Sequence, residues 1–161
     1  IILDNLINSK AFAARIALIL NQNITTTNNS CIIAFNGDLG SGKTTIIREI
    51  LINLGVNGLI KSPTFTYLEQ YDIHQNSNPN IKNIYHFDLY RLNNYNDCLD
   101  LGFDEYLLAN NAIIFIEWYQ KIAESFSKID WIIDININTQ DSRSIKITSV
   151  SKFGNILLNH Y

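Results

Sequence analysis

Two short uninterrupted apolar runs stand out along the chain, Cys31-Ile32-Ile33-Ala34-Phe35 and Ala112-Ile113-Ile114-Phe115-Ile116. Continuous apolar strands of this length suit a parallel sheet covered on both faces. The period then changes to that of a helix: Ile46, Ile47, Ile50, Leu51 and Leu54 share one face and predict a helix over about 42–54, with Gly55 as its stop. Ser9 is placed to cap an earlier helix over 9–21, whose buried face would carry Phe12, Ile16, Ile19 and Leu20. Residues 23–30 are polar and turn-like.

The stretches 64–71 and 84–91 are β-branched or aromatic and read as the arms of a long hairpin around a polar loop at 75–83. Alternation in the second arm sets Tyr85, Phe87 and Leu89 on one face and His86, Asp88 and Tyr90 on the other. Short helical turns broken at Gly102 are expected over 96–108. Residues 131–137 and 144–150 alternate better and predict a half-exposed antiparallel pair joined by Gln140-Asp141-Ser142-Arg143. Buried strands with helices between them predict an α/β domain of three layers. Its central sheet is mostly parallel, with antiparallel edge strands.

Length and composition narrow the function classes. A chain of 161 residues with 47% hydrophobic and 17% charged positions fits one folded domain spanning 1–161. A net charge of −3 argues against a broad basic face for nucleic acid, so any RNA in its biology is expected to be held by another protein. No apolar run approaches the ~18 residues of a membrane span, and no basic segment opens the chain as in a signal peptide. With Cys31 and Cys98 as the only cysteines, a disulfide framework is excluded and a reducing cytoplasm is favoured. The histidines are scattered and form no zinc set.

The strongest chemical signal is Gly37-Asp38-Leu39-Gly40-Ser41-Gly42-Lys43-Thr44, which matches G-x-x-x-x-G-K-[ST] between a buried strand and an amphipathic helix. Glycines allow successive backbone N–H groups to turn inward around phosphates, and the new helix adds free N–H groups and its positive dipole end. Lys43 has the reach for the β- and γ-phosphates, and the Thr44 hydroxyl is a ligand for Mg²⁺. A GTPase reading fails on two counts. No Asp stands three residues before a Gly. Ser127-Lys128-Ile129-Asp130, a near miss for a base-reading motif, precedes its strand instead of following it. Asp88 and Glu117 end apolar strands, where an acid points into the ligand crevice of an open α/β sheet, and both are candidate Mg²⁺ and catalytic acids.

With these residues in view, the sequence resembles the bacterial TsaE (YjeE) family, P-loop ATPases of tRNA threonylcarbamoyladenosine biosynthesis. The resemblance is carried by the P-loop through Thr45, by Ser62-Pro63-Thr64-Phe65-Thr66, by His86-Phe87-Asp88-Leu89-Tyr90-Arg91-Leu92 and by Glu117-Trp118. Leu101-Gly102-Phe103-Asp104-Glu105-Tyr106 lies between them, and the match spans about 31–150. It implies a P-loop NTPase-like domain that binds ATP or ADP with Mg²⁺ and hydrolyses ATP slowly when alone. It also implies docking on a TsaD–TsaB heterodimer that modifies tRNA. Thr44 and Glu117 fall at the family's Mg²⁺ positions, Thr64 in a nucleotide-sensing segment and Asp88 at an acid required for activity. Arg143 falls at an arginine that contacts nucleotide, although Asp141-Ser142 precede it where the family usually has Gly.

Tyr119-Gln120 replace the family's usual Pro after Glu-Trp, and the first helix offers only Ser9 where a Thr often helps form the pocket. Two readings stand for several residues. Thr64 is a switch or a strand-start Thr. His86 orients Asp88 or is a satisfied structural histidine. Trp118 packs under nucleotide or seals the core. Arg91 reads as structural. The alternative to a partner-activated ATPase is a self-contained small-molecule kinase. With only Arg15, Arg48, Arg91 and Arg143 and no basic lid-like insertion, the chain favours the ATPase. A nucleotide-binding scaffold that never hydrolyses is the third class.

Overall fold

The computed structural model describes residues 1–24, 30–73 and 78–161. Parts of the expected 23–30 turn and 75–83 loop lie outside the described residues. The elements in chain order are β1 (Ile2–Leu3), α1 (Leu6–Asn23), β2 (Cys31–Asn36), α2 (Lys43–Asn53), β3 (Leu68–Tyr71), β4 (Asn83–Asp88), α3 (Tyr95–Asp100), α4 (Asp104–Leu107), β5 (Ala112–Glu117), β6 (Trp131–Ile137), β7 (Arg143–Ser149) and α5 (Lys152–Asn159). A single 3₁₀ turn, Tyr119–Lys121, follows β5.

The strands form one sheet in the order β1-β7-β6-β2-β5-β4-β3. The central run β6-β2-β5-β4 is parallel throughout, while β3 pairs antiparallel with β4 on one side and β7 antiparallel with β6 on the other. The expected mostly parallel sheet with antiparallel edges is therefore what the chain builds. Its reason is visible in burial: every residue of β5 and the first five of β2 are buried, as strands covered on both faces must be. One face packs Ile33, Phe35 and Phe115 against Ile16 and Leu20 of α1, Ile47 and Ile50 of α2 and Leu157 of α5. The other packs Ile32, Ala34, Phe87 and Ile114 against Cys98 of α3, Leu107 of α4 and Tyr119. No helix among the described residues is long and apolar enough to cross a membrane.

Several boundaries differ from the sequence reading. Helix α1 starts earlier, capped by Asn5, whose side chain accepts from the Asn8 backbone N–H at 2.9 Å; Ser9 lies inside the first turns and bonds back to Asn5 O. Both arms of the hairpin are shorter, because residues 63–67 form a turn closed by Tyr67 N to Pro63 O at 2.7 Å, with Tyr67 at φ 63°. Beyond Asp88 the chain also turns, with Asp88 accepting from Tyr90 N at 3.0 Å. Strand β1 and helix α5 were not anticipated. Ser151 caps α5 by accepting from Gly154 N, and Gly154 is required because a Cβ there would lie 2.2 Å from Asp130 O.

Candidate functional site

Strand β2 runs into the glycine loop at the centre of the sheet, and β4 and β5 end beside it. Asp88 and Glu117 are register partners at the carboxyl ends of those adjacent parallel strands. Such strand ends face the crevice of an open α/β sheet. The first residue of the loop explains its own identity: Gly37 holds φ +146°, and a Cβ would meet Ile135 O at 2.5 Å and Ser41 Oγ at 2.7 Å. At the other end of the loop Gly42, at φ 101°, forms the N-cap of α2 without a side-chain cap, so the first N–H groups of that helix face the loop's concavity.

Lys43 is the first residue of α2, and its Nζ folds over the loop to donate to Gly37 O at 2.7 Å and Asp38 O at 3.0 Å. Its side chain also lies 4.1 Å from the centroid of the Trp118 ring, a cation–π arrangement. Burial lowers the Lys43 pKa from the usual lysine value, and the negative charges of Glu117, Asp88 and Asp38 offset part of that effect.

Thr44 Oγ1 lies 2.7 Å from Glu117 Oε1 and 3.0 Å from Oε2. Glu117 is buried, and its Oε1 has a second partner in His86 Nε2 at 2.9 Å. His86 shares a strand face with Asp88, as alternation predicts. However, its ring pairs with Glu117, so the expectation that it orients Asp88 is replaced by a contact to the other acid. Asp88 is held separately: Thr64 Oγ1 donates to its Oδ2 at 2.8 Å, and Ser62 Oγ lies 3.0 Å from Thr64 Oγ1. The Ser-Pro-Thr turn is thus tied to the end of β4.

Trp118 directly follows Glu117 in the left-handed region, at φ 61°. A large non-glycine side chain is rarely found there. This backbone turn sets the indole against both Lys43 and Tyr90, whose ring centroid is 4.9 Å away. Its remaining surface packs on the core of that face, so Trp118 touches both Lys43 and the core. Tyr119 is buried and donates its hydroxyl to Phe126 O at 2.6 Å. Arg91 lies outside the site, over the exposed Phe65 ring at 4.4 Å.

Two cavities flank the loop, and both are lined by Gly40, Gly42 and Thr45. The first, about 260 Å³, also touches Leu39, Lys43, Thr44, Thr64, Asp88, Tyr90, Glu117 and Trp118. The second, about 280 Å³, is walled by Leu3, Asn5, Leu6 and Ser9 on one side and by Gln140, Asp141 and Arg143 on the other. Arg143 begins β7; its Nε donates to Ser41 O at 3.4 Å and its Nη1 to Gln140 O at 2.7 Å, which brings it to the loop. From the start of α1 the sequence offered only Ser9 for a pocket; Ser9 lines this wall, and Leu3, Asn5 and Leu6, which were not singled out, line it too. Asn5, an N-cap type as good as Ser, was the available signal for the earlier helix start.

Taken together, the topology and the strand-to-helix loop define a mixed α/β protein of P-loop-like fold. The crystal structure of Bacillus subtilis YdiB matches it with a TM-score of 0.73 at 24% identity, covering 99% of this chain and 90% of that one. The family model described as Threonylcarbamoyl adenosine biosynthesis protein TsaE matches residues 4–145, and the chain belongs to the TsaE family. Among curated relatives, the tRNA threonylcarbamoyladenosine biosynthesis protein TsaE of Rickettsia typhi is 35% identical over 147 residues, 91% of this chain and 92% of the relative. The protein of the same name from Haemophilus influenzae is 33% identical over 135 residues, 84% and 80% of the two chains. Its Bacillus subtilis counterpart is 33% identical over 119 residues, 74% and 70%. TsaE proteins are thus proteins of tRNA threonylcarbamoyladenosine biosynthesis.

Proposed function

We infer that this chain is a cytoplasmic, Mg²⁺-dependent P-loop ATPase of tRNA threonylcarbamoyladenosine formation that turns over slowly alone and acts on a TsaD–TsaB heterodimer. The observation that carries this reading is the Thr44–Glu117 hydrogen bond beside the amine of Lys43. A hydroxyl has one hydrogen and two lone pairs. Spending that hydrogen on Glu117 leaves the Thr44 lone pairs for a cation. The donor set suits Mg²⁺, which keeps several waters and takes few protein oxygens alongside phosphates. No group of three or more His, Cys, Asp or Glu among the described residues could hold a metal. Metal retention would then depend on the nucleotide. Bound there, Mg²⁺ would neutralise phosphate charge, with Thr44 and Glu117 holding it directly or through water, and Asp88 at the adjoining strand end.

On this reading ATP or ADP straddles the glycine loop. The phosphates lie on the N–H groups of Gly40 to Thr45 and against Lys43. The terminal phosphate occupies the Glu117–Trp118 cavity, and the nucleoside lies between the start of α1 and Arg143. Thr64, bonded to Asp88 and lining the phosphate cavity, is set to respond to a γ-phosphate and to carry that state into the 63–67 turn. A net charge of −3 supports contact with tRNA only through the partner. The test is phosphate release from Mg·ATP by the chain with and without TsaD–TsaB. Slow release accelerated by the heterodimer supports the reading. Rapid phosphoryl transfer to a nucleoside or other small acceptor by the chain alone would favour the kinase.

A further inference from the structure

His86 has an unusual position for a histidine. It lies in the middle of β4, 1% exposed, on the same face as the buried Ile84. Its two ring nitrogens differ: Nε2 is 2.9 Å from Glu117 Oε1, while Nδ1 is buried with no partner among the described residues. Burying an imidazole with one nitrogen unsatisfied is unfavourable compared with an apolar side chain in the same strand position. Packing alone therefore does not explain a histidine at this point. The compensation is its single contact, with Glu117 as acceptor. A carboxylate only accepts, so Nε2 carries the shared hydrogen.

Among the described residues, Glu117 has one other side-chain hydrogen-bond partner, the Thr44 hydroxyl, which approaches both of its oxygens. Glu117 leaves the sheet edge just before the left-handed turn at Trp118. A long carboxylate there has several rotamers unless something behind it fixes one. Thr44 stands in the first turn of α2, beside the loop that would receive phosphate, whereas His86 belongs to the neighbouring strand and is independent of ligand. We propose that His86 is a positioning residue that holds Glu117 Oε1 from behind, so that Oε2 is presented beside Thr44 for the metal that accompanies nucleotide. This deepens the proposed function and rests on its reading of Glu117. Contacts of this kind, made to a ligand and not to the metal, commonly change metal affinity by roughly 10- to 100-fold.

The experiment is calorimetric measurement of ADP affinity with and without Mg²⁺, the ratio being the Mg²⁺ enhancement. The proteins are wild type, His86→Leu, His86→Gln, Glu117→Gln and the His86→Leu/Glu117→Gln double variant. His86→Leu is expected to cut the enhancement about 10-fold while Mg²⁺-free ADP affinity holds. His86→Gln, whose amide N–H can reach the same acceptor, should recover most of it. His86→Leu should add nothing once Glu117 is Gln. An undiminished enhancement in His86→Leu, equal losses in Leu and Gln, or full additivity in the double variant would each overturn the assignment. Should His86→Leu not fold, ¹⁵N NMR of the wild-type ring decides: an Nε2–H resonance that shifts in Glu117→Gln supports it, and an Nδ1–H tautomer or an unshifted ring overturns it. A wild type whose ADP affinity ignores Mg²⁺ would instead remove the nucleotide–metal reading itself, which separates that failure from a failure of His86 alone.

Discussion

Replacing Lys43 by Ala gives the sharpest test of the proposed nucleotide site, because the structure shows how the amine is held. Its Nζ makes two hydrogen bonds to loop carbonyls, at 2.7 and 3.0 Å, and a cation–π contact at 4.1 Å. The amine is therefore preorganised over the concavity and would meet a phosphate with little rearrangement. Losing a charge-assisted contact of about 1.5–3 kcal/mol corresponds to a fall in ADP affinity of roughly 10- to 150-fold. The fall should tend to the upper end. Glu117, Asp88 and Asp38, which help retain the proton on Lys43, would remain as uncompensated negative charge facing the phosphates. The assay is titration calorimetry with Mg·ADP, accompanied by urea unfolding of the same variant. A modest loss of stability, about 1 kcal/mol, is expected from the freed loop carbonyls. A folded Lys43→Ala protein with wild-type ADP affinity would refute the phosphate site and the reasoning behind it.

Three further outcomes are expected. Gly37→Ala places a methyl against Ile135 O and Ser41 Oγ at a positive φ, and should lower the unfolding free energy by about 2 kcal/mol or more in denaturant titrations; an unchanged midpoint would show that the loop relaxes freely. Thr64→Ala removes the hydroxyl bonded to Asp88 and should reduce the difference in TsaD–TsaB affinity between ADP and a non-hydrolysable ATP analogue, with ADP affinity nearly intact; equal wild-type affinities in both nucleotide states would eliminate the switch. Burial raises the Cys98 thiol to about 11 and Cys31 well above the ordinary range. At these thiols the folded chain thus retains protons that the unfolded chain has lost above pH 9, so their contribution to stability falls as pH rises from there, offset in part by the lowered Lys43 pKa. Cys98 alone contributes roughly 1 kcal/mol by pH 10, and a flat unfolding free energy between pH 8.5 and 10 would contradict it.

What could be read from the sequence divides along physical lines. β2, β5 and α2 were legible because continuous apolar runs and helical spacing are local signals that packing then reinforces, and the loop between β2 and α2 was legible because its glycines have backbone reasons to be there. The hairpin arms were overextended because β-branched and aromatic residues at 64–67 and 89–91 have strand propensity, while the Thr64 and Asp88 side-chain contacts turn the chain instead. β1 is a two-residue strand, too short for any period, that exists only because β7 offers an edge. Helix α5 was hidden by Gly154 and two asparagines, weak helix formers that are tolerated through the Ser151 cap and the close approach to Asp130. In the site, each acid was recognised singly. That Glu117 pairs with Thr44 and His86, and Asp88 with Thr64, depends on which strands lie side by side, which spacing along one chain does not encode.

The two tryptophans occupy opposite environments, and this has an optical consequence. Trp131 is fully enclosed on β6, its indole N–H bonded to Gly154 O at 2.8 Å, whereas Trp118 lies half-buried at the crevice with the Lys43 ammonium over its ring. The intrinsic emission of the chain is therefore a sum of a blue, quencher-shielded component from the core and a redder component accessible from the cavity beside the glycine loop. Iodide should extinguish the second while leaving the first, so the unmodified protein carries separate chromophores for global unfolding and for events at the glycine loop.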